Sequence, residues 1–421
     1  MTPAAPSRVV ILTDFASARG GASGLALLQA RLLLQAGIAV TIFAGDSGDQ
    51  APAGAELIAL GGRRLLDQGA LSAAVSGLWN DAARRALADW IARHDDARTI
   101  YHLHGFHQTL SPAVLAPLAR CAARTVLHAH DYFLACPSGS FFDFRAGTTC
   151  NRRALSPGCV ARHCDKRSYP QKLWRVARQL IQNHGTARLS GAATTVLIHA
   201  DMAPRLRLPG RVVTIANPVE PLLAQSVDPR SAREFLYVGD MHAYKGVFVL
   251  AQAARRAGVA LRFVGDGVDR ARMQADYPEY PCTGWAERAG IARAMAAARA
   301  VISPTLGPEP FGLVPVEALQ AGVPVVLSDS MLLAAGICRA GAGLAFRAGD
   351  AGDLAAVLHR LSQDDALIGA LAARAPAAAA QIALTPGAWA EALQRLYHGI
   401  LAPQTRAVAG PQLYPIGRRA R

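Results

Sequence analysis

Short apolar runs alternate with longer amphipathic stretches along most of the chain, and this alternation predicts its secondary structure. In the first half, the runs that predict strands are Val9–Leu12, Val40–Phe43, Thr99–His104, Arg124–His130 and Thr194–Ile198. In the second half, they are Arg211–Ile215, Glu234–Val238, Leu261–Val264, Ala300–Ser303 and Val323–Leu327. The stretches typical of helices include Gly24–Gln35, Val247–Ala257 and Ala388–Leu401. Continuous apolar strands separated by helices are typical of parallel sheets covered on both faces, so we predict an α/β fold.

The pattern starts again near residue 206, which predicts two α/β domains in this chain of 421 residues. We expect one domain over 1–205, a second domain over 206–385 and a helix over 386–401 that returns to the first domain. A Cys/Arg-rich insertion would occupy 136–170, and 402–421 would form a disordered basic tail. Ligands of such sheets bind beyond the carboxyl ends of the strands, so the residues that follow the strands are the candidate site.

The most informative segment of the second half is Glu309-Pro-Phe-Gly-Leu-Val-Pro-Val-Glu317. Pro315 favours the first turn of a helix, and the free amides of Gly312 and Leu313 at its start would attract a phosphate. A carboxylate repels phosphate. We therefore expect Glu309 and Glu317 to accept hydrogen bonds from sugar and ribose hydroxyls.

Other polar residues also follow predicted strands. Lys245 comes shortly after Gly239, where a lysine can reach a diphosphate as a mobile cation. In the first half, Gly21 lies in a glycine loop after the first strand, and His104 and His130 end two later strands. A single histidine is more often structural than catalytic.

These motifs together resemble the retaining glycosyltransferases of group 1, the family that includes sucrose synthase and phosphatidylinositol mannosyltransferase. The resemblance covers about residues 9–400. It rests on the order of Asn217-Pro218, Gly239 with Lys245-Gly246, Gly265-Asp266-Gly267, Gly284-Trp285 and the segment from Glu309 to Glu317. It implies the GT-B architecture, in which two Rossmann-like domains face each other across a cleft.

The resemblance implies roles for the matching residues. Lys245 would contact the diphosphate of the sugar donor, Glu309 the hydroxyls of the transferred sugar and Glu317 the ribose, while His130 would orient or polarise the acceptor hydroxyl. The other residues expected at the sugar donor are Gly21, Asn217, Gly239, Gly265, Gly284, Phe311, Gly312 and Leu313. No metal would be required, because helix amides and cations can neutralise the leaving diphosphate.

One position departs from the family pattern. The family usually has an arginine directly after the glycine that matches Gly239, but this chain has Asp240. The change removes one expected cation from the diphosphate site and adds an anion. Another basic residue could compensate, the carboxylate could point away, or transfer could be impaired. We hypothesise that Arg19, in the N-terminal glycine loop, is the compensating cation.

The charge distribution suggests a second feature. The formal net charge is +14, and residues 121–190 hold eleven basic against three acidic side chains. Such a patch fits a solvated face, an anionic substrate or an anionic membrane surface. We expect no nucleic-acid partner, because no nucleic-acid-binding motif accompanies the charge. With no apolar run of 18 residues and no leader pattern, we expect a cytoplasmic protein that can lie on the inner membrane face.

Four of the seven cysteines cluster in the insertion: Cys136, Cys150, Cys159 and Cys164. Four thiolates, or three with His163, could hold a structural zinc ion, although their spacing is not that of paired C-x2-C motifs. Free thiols that pack an acceptor lid are the other interpretation. Stable disulfides are disfavoured in a reducing cytosol.

From the sequence we thus expect a retaining glycosyltransferase of class EC 2.4 with a nucleoside-diphosphate sugar as donor. The acceptor would be lipid-linked or a polysaccharide, as in cell-envelope biosynthesis. One alternative is an enzyme that makes a soluble glycoside. Another is a non-catalytic GT-B scaffold, which Asp240 favours and the combination of Lys245, Glu309 and Glu317 disfavours. A Rossmann oxidoreductase is not expected, because no G-x-G-x-x-G fingerprint follows the first strand.

Overall fold

The structure, a computed structural model, describes residues 5–17, 20–189 and 191–402. Its contacts divide the chain into two units. The N-terminal unit contains the residues up to 139, residues 152–216 and the chain from Pro386. The C-terminal unit contains residues 140–151 and 217–385.

The strands of the described residues are β1 (Arg8–Thr13), β2 (Ala39–Ala44), β3 (Glu56–Ala59), β4 (Thr99–Leu103), β5 (Thr125–Ala129), β6 (Phe142–Asp143), β7 (Thr148–Thr149), β8 (Thr194–Leu197), β9 (Arg211–Thr214), β10 (Glu234–Val238), β11 (Ala260–Val264), β12 (Ala298–Ser303), β13 (Val325–Ser328) and β14 (Gly343–Phe346). The helices are α1 (Gly21–Gln35), α2 (Ala70–Leu78), α3 (Asp81–His94), α4 (Leu115–Leu118), α5 (Pro157–Ala161), α6 (Tyr169–Leu189), α7 (Ala203–Leu206), α8 (Val247–Ala257), α9 (Arg270–Asp276), α10 (Arg288–Ala296), α11 (Leu313–Gln320), α12 (Ala334–Arg339), α13 (Ala351–Gln363), α14 (Asp365–Ile382) and α15 (Pro386–Leu401).

Each unit is built on one parallel sheet. In the N-terminal unit the strand order is β3-β2-β1-β4-β5-β8-β9, and in the C-terminal unit it is β11-β10-β12-β13-β14. The pairings within both sheets are parallel. Buried apolar side chains fill most of the central strands, as in Val9–Leu12 of β1, because helices cover both faces of such sheets. The predicted α/β class is therefore confirmed.

Two of the domain boundaries differ from the sequence-based expectation. Strand β9 does not begin the second domain; it pairs with β8, so the N-terminal unit continues to residue 216. The insertion is not a continuous loop either, because it contains the hairpin β6–β7 and helix α5. Residues 140–151 of this insertion group with the C-terminal unit. Helix α15 groups with the N-terminal unit, where Tyr397 contacts Gln29 of α1.

The basic region of residues 121–190 is less exposed than its composition suggests. Lys172 and Arg178 are buried, Arg124 pairs with Asp95, and Arg175 pairs with the buried Asp165. In the part of this region that belongs to the N-terminal unit, the basic side chains that stay exposed are Arg152, Arg153, Lys166, Arg167 and Arg188. None of the described helices combines the length and the apolar character that a membrane crossing requires.

Candidate active site

The C-terminal unit brings three predicted glycines together at the carboxyl ends of β10 and β11. The amide of Gly239 donates to the carbonyl of Val264, and the amide of Gly265 donates to Gly284 at 2.8 Å. All three glycines have positive φ angles, of 155°, 140° and 76° in chain order. A side chain at Gly265 would overlap the carbonyl oxygen of Gly239. These glycines therefore allow the two loops to approach each other closely.

Lys245 and Glu309, which lie 64 residues apart, meet in the same unit. Lys245 Nζ donates to Glu309 Oε2 at 2.7 Å, and the hydroxyl of Thr305 donates to the same oxygen at 2.9 Å. Burial alone would raise the pKa of Glu309, but the Lys245 ammonium more than offsets this effect and lowers it below the usual range. The two side chains predicted to hold the diphosphate and the sugar thus form an ion pair with each other.

Helix α11 begins at the residues whose amides were predicted from the sequence to attract a phosphate. Gly312 precedes its first residue with a φ of 78°, a conformation that favours glycine. Leu313 is the first residue of the helix, so its amide lies among the free donors of the N-terminus. The side chain of Phe311 is buried, so that only its backbone can face a ligand. Glu317 lies 3.7 Å from Arg288, and burial raises its pKa although Arg288 opposes this shift.

Two further candidates of this unit have contrasting surroundings. Asn217 is buried, and its Oδ1 has no hydrogen-bond partner among the described residues. Asp240 is exposed, and its carboxylate lies beside Gly267, within electrostatic reach of Lys245. The added anion therefore stays near the predicted diphosphate site. Arg19, our hypothetical compensating cation, falls outside the described residues.

In the N-terminal unit, Gly21, His104 and His130 line one cavity of about 260 Å³. Asp14, also in its lining, was not predicted to have a structural role. Its carboxylate accepts hydrogen bonds from four successive amides, those of residues 107–110, and from the hydroxyl of Thr109. Asp14 thus fixes the loop that follows β4, which forms one wall of this cavity.

His104 and His130 belong to a stack of four histidine rings that the sequence analysis did not foresee. His102 lies on β4 and His104 directly after it, and His128 on β5 and His130 directly after it have the same spacing. Residues two apart share a face of a strand, so the four rings meet. The rings of His128 and His130 are 4.3 Å apart and nearly parallel, at 6°. The repeated H-x-H spacing on successive strands is the signal that could have revealed the stack.

Hydrogen bonds determine which ring nitrogens of His104 and His130 carry a proton. Gln29 Oε1 can only accept, so with this amide orientation His104 carries its proton on Nε2. His104 Nδ1 then accepts from His130 Nε2 at 3.0 Å. His130 Nδ1 is left as an unprotonated nitrogen without a hydrogen-bond partner among the described residues. Burial lowers the pKa of His130 to about 4, so the ring is neutral at pH 7 and can accept a hydrogen bond.

The clustered cysteines have different surroundings. Lys172, which is fully buried, directs its ammonium at Cys159 Sγ over 3.6 Å. Cys136 and Cys164 lie within electrostatic reach of the same ammonium, and burial raises the pKa of Cys164. Cys150 groups with the other unit. An ammonium beside three thiols favours their thiolate forms, which are the forms that bind metal ions.

Among the described residues, the side chains that come close enough to share a metal ion are His102, His104 and His128, with ring nitrogens within 4.8 Å of one another. No group of this kind contains a cysteine. His102 Nδ1 already contacts Gln29 and Tyr397, and a hydrogen bond joins its Nε2 to His128. These hydrogen bonds occupy both ring nitrogens of His102 and one ring nitrogen of His128 without a metal ion. The zinc site at the cysteines stays a prediction.

Comparison with known proteins now adds to this geometry. Residues 232–364, which include Lys245, Glu309 and Glu317, match the family model of the glycosyl transferases group 1. This part of the chain is therefore similar to that family. A phosphatidyl-myo-inositol mannosyltransferase from Mycolicibacterium smegmatis is 35% identical over 156 residues. The matched stretch covers 35% of the present chain and 40% of the length of the relative.

Solved structures show a similarity in fold over almost the whole chain. Sucrose-phosphate synthase from Thermosynechococcus elongatus matches with a TM-score of 0.70 at 17% identity, over 94% of this chain and 99% of that structure. HepE of Anabaena, in complex with UDP, matches with a TM-score of 0.61 at 16% identity, over 93% and 100% of the two chains. WaaG, a glycosyltransferase involved in lipopolysaccharide biosynthesis, matches with a TM-score of 0.63 at 16% identity, over 93% and 100%. The chain therefore has the GT-B fold, with two Rossmann-like domains, as predicted.

Proposed function

We propose that this protein is a retaining glycosyltransferase that transfers a sugar from a nucleoside-diphosphate donor to a lipid-linked or polysaccharide acceptor. The ion pair between Lys245 and Glu309, near the residues that begin the group 1 helix α11, is the observation that carries the proposal. The pair brings together a cation that would bind a diphosphate and a carboxylate that would accept hydrogen bonds from sugar hydroxyls. The structures of HepE of Anabaena in complex with UDP and with UDP-glucose support a nucleotide-sugar donor.

The residues divide the chemistry between them. On donor binding, Lys245 would exchange Glu309 for the diphosphate, and the amides at the start of α11 would share the charge that develops on the leaving group. The released Glu309 would accept hydrogen bonds from the sugar. The neutral His130 would orient the acceptor hydroxyl through Nδ1, while the departing phosphate takes the hydroxyl proton. These groups suffice for transfer, so we expect no metal requirement.

A screen of sugar donors tests this function. UDP-glucose, GDP-mannose and ADP-glucose are added singly to the purified protein, and the melting temperature is measured. We expect one of them to raise it, because a ligand that binds only the native state stabilises that state; at a hundredfold excess over Kd the gain is about 2.7 kcal/mol. Transfer of the bound sugar, or its slow hydrolysis, would complete the test. Absence of any shift and of any turnover would contradict the proposal.

A non-catalytic scaffold is the second candidate, and one observation favours it. Asp240 keeps an anion within reach of Lys245, where the family usually places a cation. Such a scaffold would bind a sugar nucleotide in the screen yet neither transfer nor hydrolyse it. The same experiment therefore separates the two candidates.

The surface of the N-terminal unit supports a membrane-associated acceptor. Leu71 and Val75 of α2 are 80% and 61% exposed, and Trp79 follows at the same four-residue spacing. Residues four apart lie on one face of a helix, so these side chains form an apolar stripe. Arg63 and Arg64, just before this helix, are also exposed. An apolar stripe with neighbouring cations is typical of a helix that lies on an anionic membrane.

We expect the protein to float with vesicles that contain anionic phosphatidylglycerol and to stay behind with neutral phosphatidylcholine vesicles. Changing Leu71 and Val75 together to serine should lower recovery about tenfold or more, since each loses about 1.5–3 kcal/mol of apolar burial. The same change at Val268, which is 80% exposed in the C-terminal unit, is the control. Equal recovery with both lipids would contradict the membrane proposal and favour a soluble acceptor.

A further inference from the structure

The hairpin β6–β7 lies in the cysteine-rich insertion, yet its contacts are with the C-terminal unit. Phe142 pairs with Thr149 and Asp143 with Thr148. The buried Asp143 accepts hydrogen bonds from the amides of Arg145 and Ala146 and closes the turn with Gly147, whose φ is 67°. The hairpin is thus internally ordered, although each strand has only two residues.

One side of the hairpin contacts the loop that leads to Glu309. The ring of Phe142 lies against Gly307, close enough that a methyl group there would be 3.1 Å from Phe142 Cδ2. The hydroxyl of Thr149 donates to the carbonyl of Leu306 at 3.5 Å. The backbone of this loop therefore rests on the hairpin two residues before the glutamate.

The next residue of the hairpin contacts the segment that carries Lys245. Phe144 meets the ring of Tyr244 edge-on, with centroids 5.7 Å apart. Tyr244 in turn supports Lys245, whose Nζ lies 5.5 Å from the centre of its ring. The carbonyl of Tyr244 also accepts a hydrogen bond from Leu306, at 3.0 Å. The hairpin consequently covers the point where the lysine and glutamate segments join.

We propose that the hairpin is a part of the sugar-donor site and that Phe142 and Phe144 are positioning residues for Glu309 and Lys245. This inference rests on the proposed function. The edge contact of Phe144 with Tyr244 and the packing of Phe142 on Gly307 add to the backbone hydrogen bond and the ion pair that join the two loops. The hairpin itself need not touch the donor, because it acts through Tyr244 and Gly307.

Phe144→Ala is the first test. We expect it to raise the Kd and KM for the sugar nucleotide about threefold to tenfold, the range that the loss of one aromatic pair corresponds to, with a smaller change in kcat. Phe144→Tyr keeps the ring and should restore the wild-type KM. Phe248→Ala, which removes a half-buried phenylalanine of α8 from the same unit, is the matched control and should leave KM unchanged. Melting curves without ligand confirm that each variant is folded.

Gly307→Ala is an independent second variant. Its methyl group would crowd Phe142 and move the hairpin away from the loop, which should raise KM as well. Combining it with Phe142→Ala should raise KM no further than the larger of the two single changes, because both remove the same contact, whereas a direct effect on the loop would add to the loss.

The outcomes separate the two proposals. The probe is whichever of UDP-glucose, GDP-mannose and ADP-glucose the wild type binds. If the wild type binds none of them, the proposed function fails and the hairpin inference falls with it. If the wild type binds one and Phe144→Ala binds it equally well with the same KM, the hairpin inference alone is overturned.

Discussion

Glu309→Gln is expected to tighten the binding of a nucleoside diphosphate while it slows sugar transfer, whereas Lys245→Ala should weaken both. The opposite signs follow from the 2.7 Å ion pair, since a bound diphosphate must compete with Glu309 for the same ammonium. Glutamine removes the competing charge and leaves Lys245 free for the phosphates. It also replaces a carboxylate that would hold the sugar hydroxyls, so transfer should fall about a hundredfold to a thousandfold.

Lys245→Ala has the larger effect on binding. It removes the cation expected at the diphosphate and leaves the Glu309 carboxylate without its counterion. Loss of a charge-assisted hydrogen bond worth about 1.5–3 kcal/mol raises Kd about tenfold to a hundredfold. Calorimetric titration with the nucleoside diphosphate and steady-state transfer rates measure the two effects. Lys166→Ala, at an exposed lysine, is the control. If both variants changed the diphosphate affinity in the same direction, the two residues would not compete as proposed.

The placement of the candidate residues in the C-terminal unit could be predicted from the sequence because the information is local. The polar residues follow apolar strands directly, and parallel strands bring their carboxyl ends to one edge of the sheet. Strand β10 and helix α8 were predicted with the bounds that the structure has. Lys245 and Glu309 therefore fall on neighbouring loops once the strand order places β10 beside β12.

The N-terminal unit was harder to predict because its polar groups meet over long sequence distances. Gln29 is a mid-helix residue that contacts Tyr397, 368 positions later, and no local pattern encodes that pairing. Lys172 counted as part of a basic surface, yet tertiary packing buries it beside thiols. The role of Asp14 was not predicted, since its four amide partners lie more than ninety residues away. Periodicity describes which face of an element is apolar; it does not say which distant polar groups share that face.

The same limit applies to the insertion. Its Gly, Pro and Arg content favours a loop, and residues 140–151 have no apolar period long enough to predict a strand. The hairpin forms because Asp143 satisfies the amides of its turn and because Phe142 packs against Gly307. The second cause is visible only when the rest of the C-terminal unit is present.

Gly265→Ala is expected to unfold or severely destabilise the C-terminal unit, although the sequence assigned this residue only to nucleotide binding. The added methyl group would overlap the carbonyl oxygen of Gly239, which is backbone and cannot rotate away. The φ angle of 140° adds strain, because residues with a side chain rarely adopt it. Clashes of this kind in a close-packed region cost more than about 4 kcal/mol, a large part of the stability of most domains.

Chemical denaturation of the ligand-free protein measures this effect separately from any loss of binding. Gly336→Ala is the matched control, since this glycine lies in helix α12 of the same unit with open space around it and should be neutral or slightly stabilising. A Gly265→Ala variant with wild-type stability and a weakened affinity for the nucleotide would mean that the glycine serves the ligand. A variant that loses stability without ligand would mean that Gly265 is required first for the approach of two strand ends. In that case Gly265 would contribute to the site by shaping the loops that follow β10 and β11. Lys245 lies in the segment that follows β10.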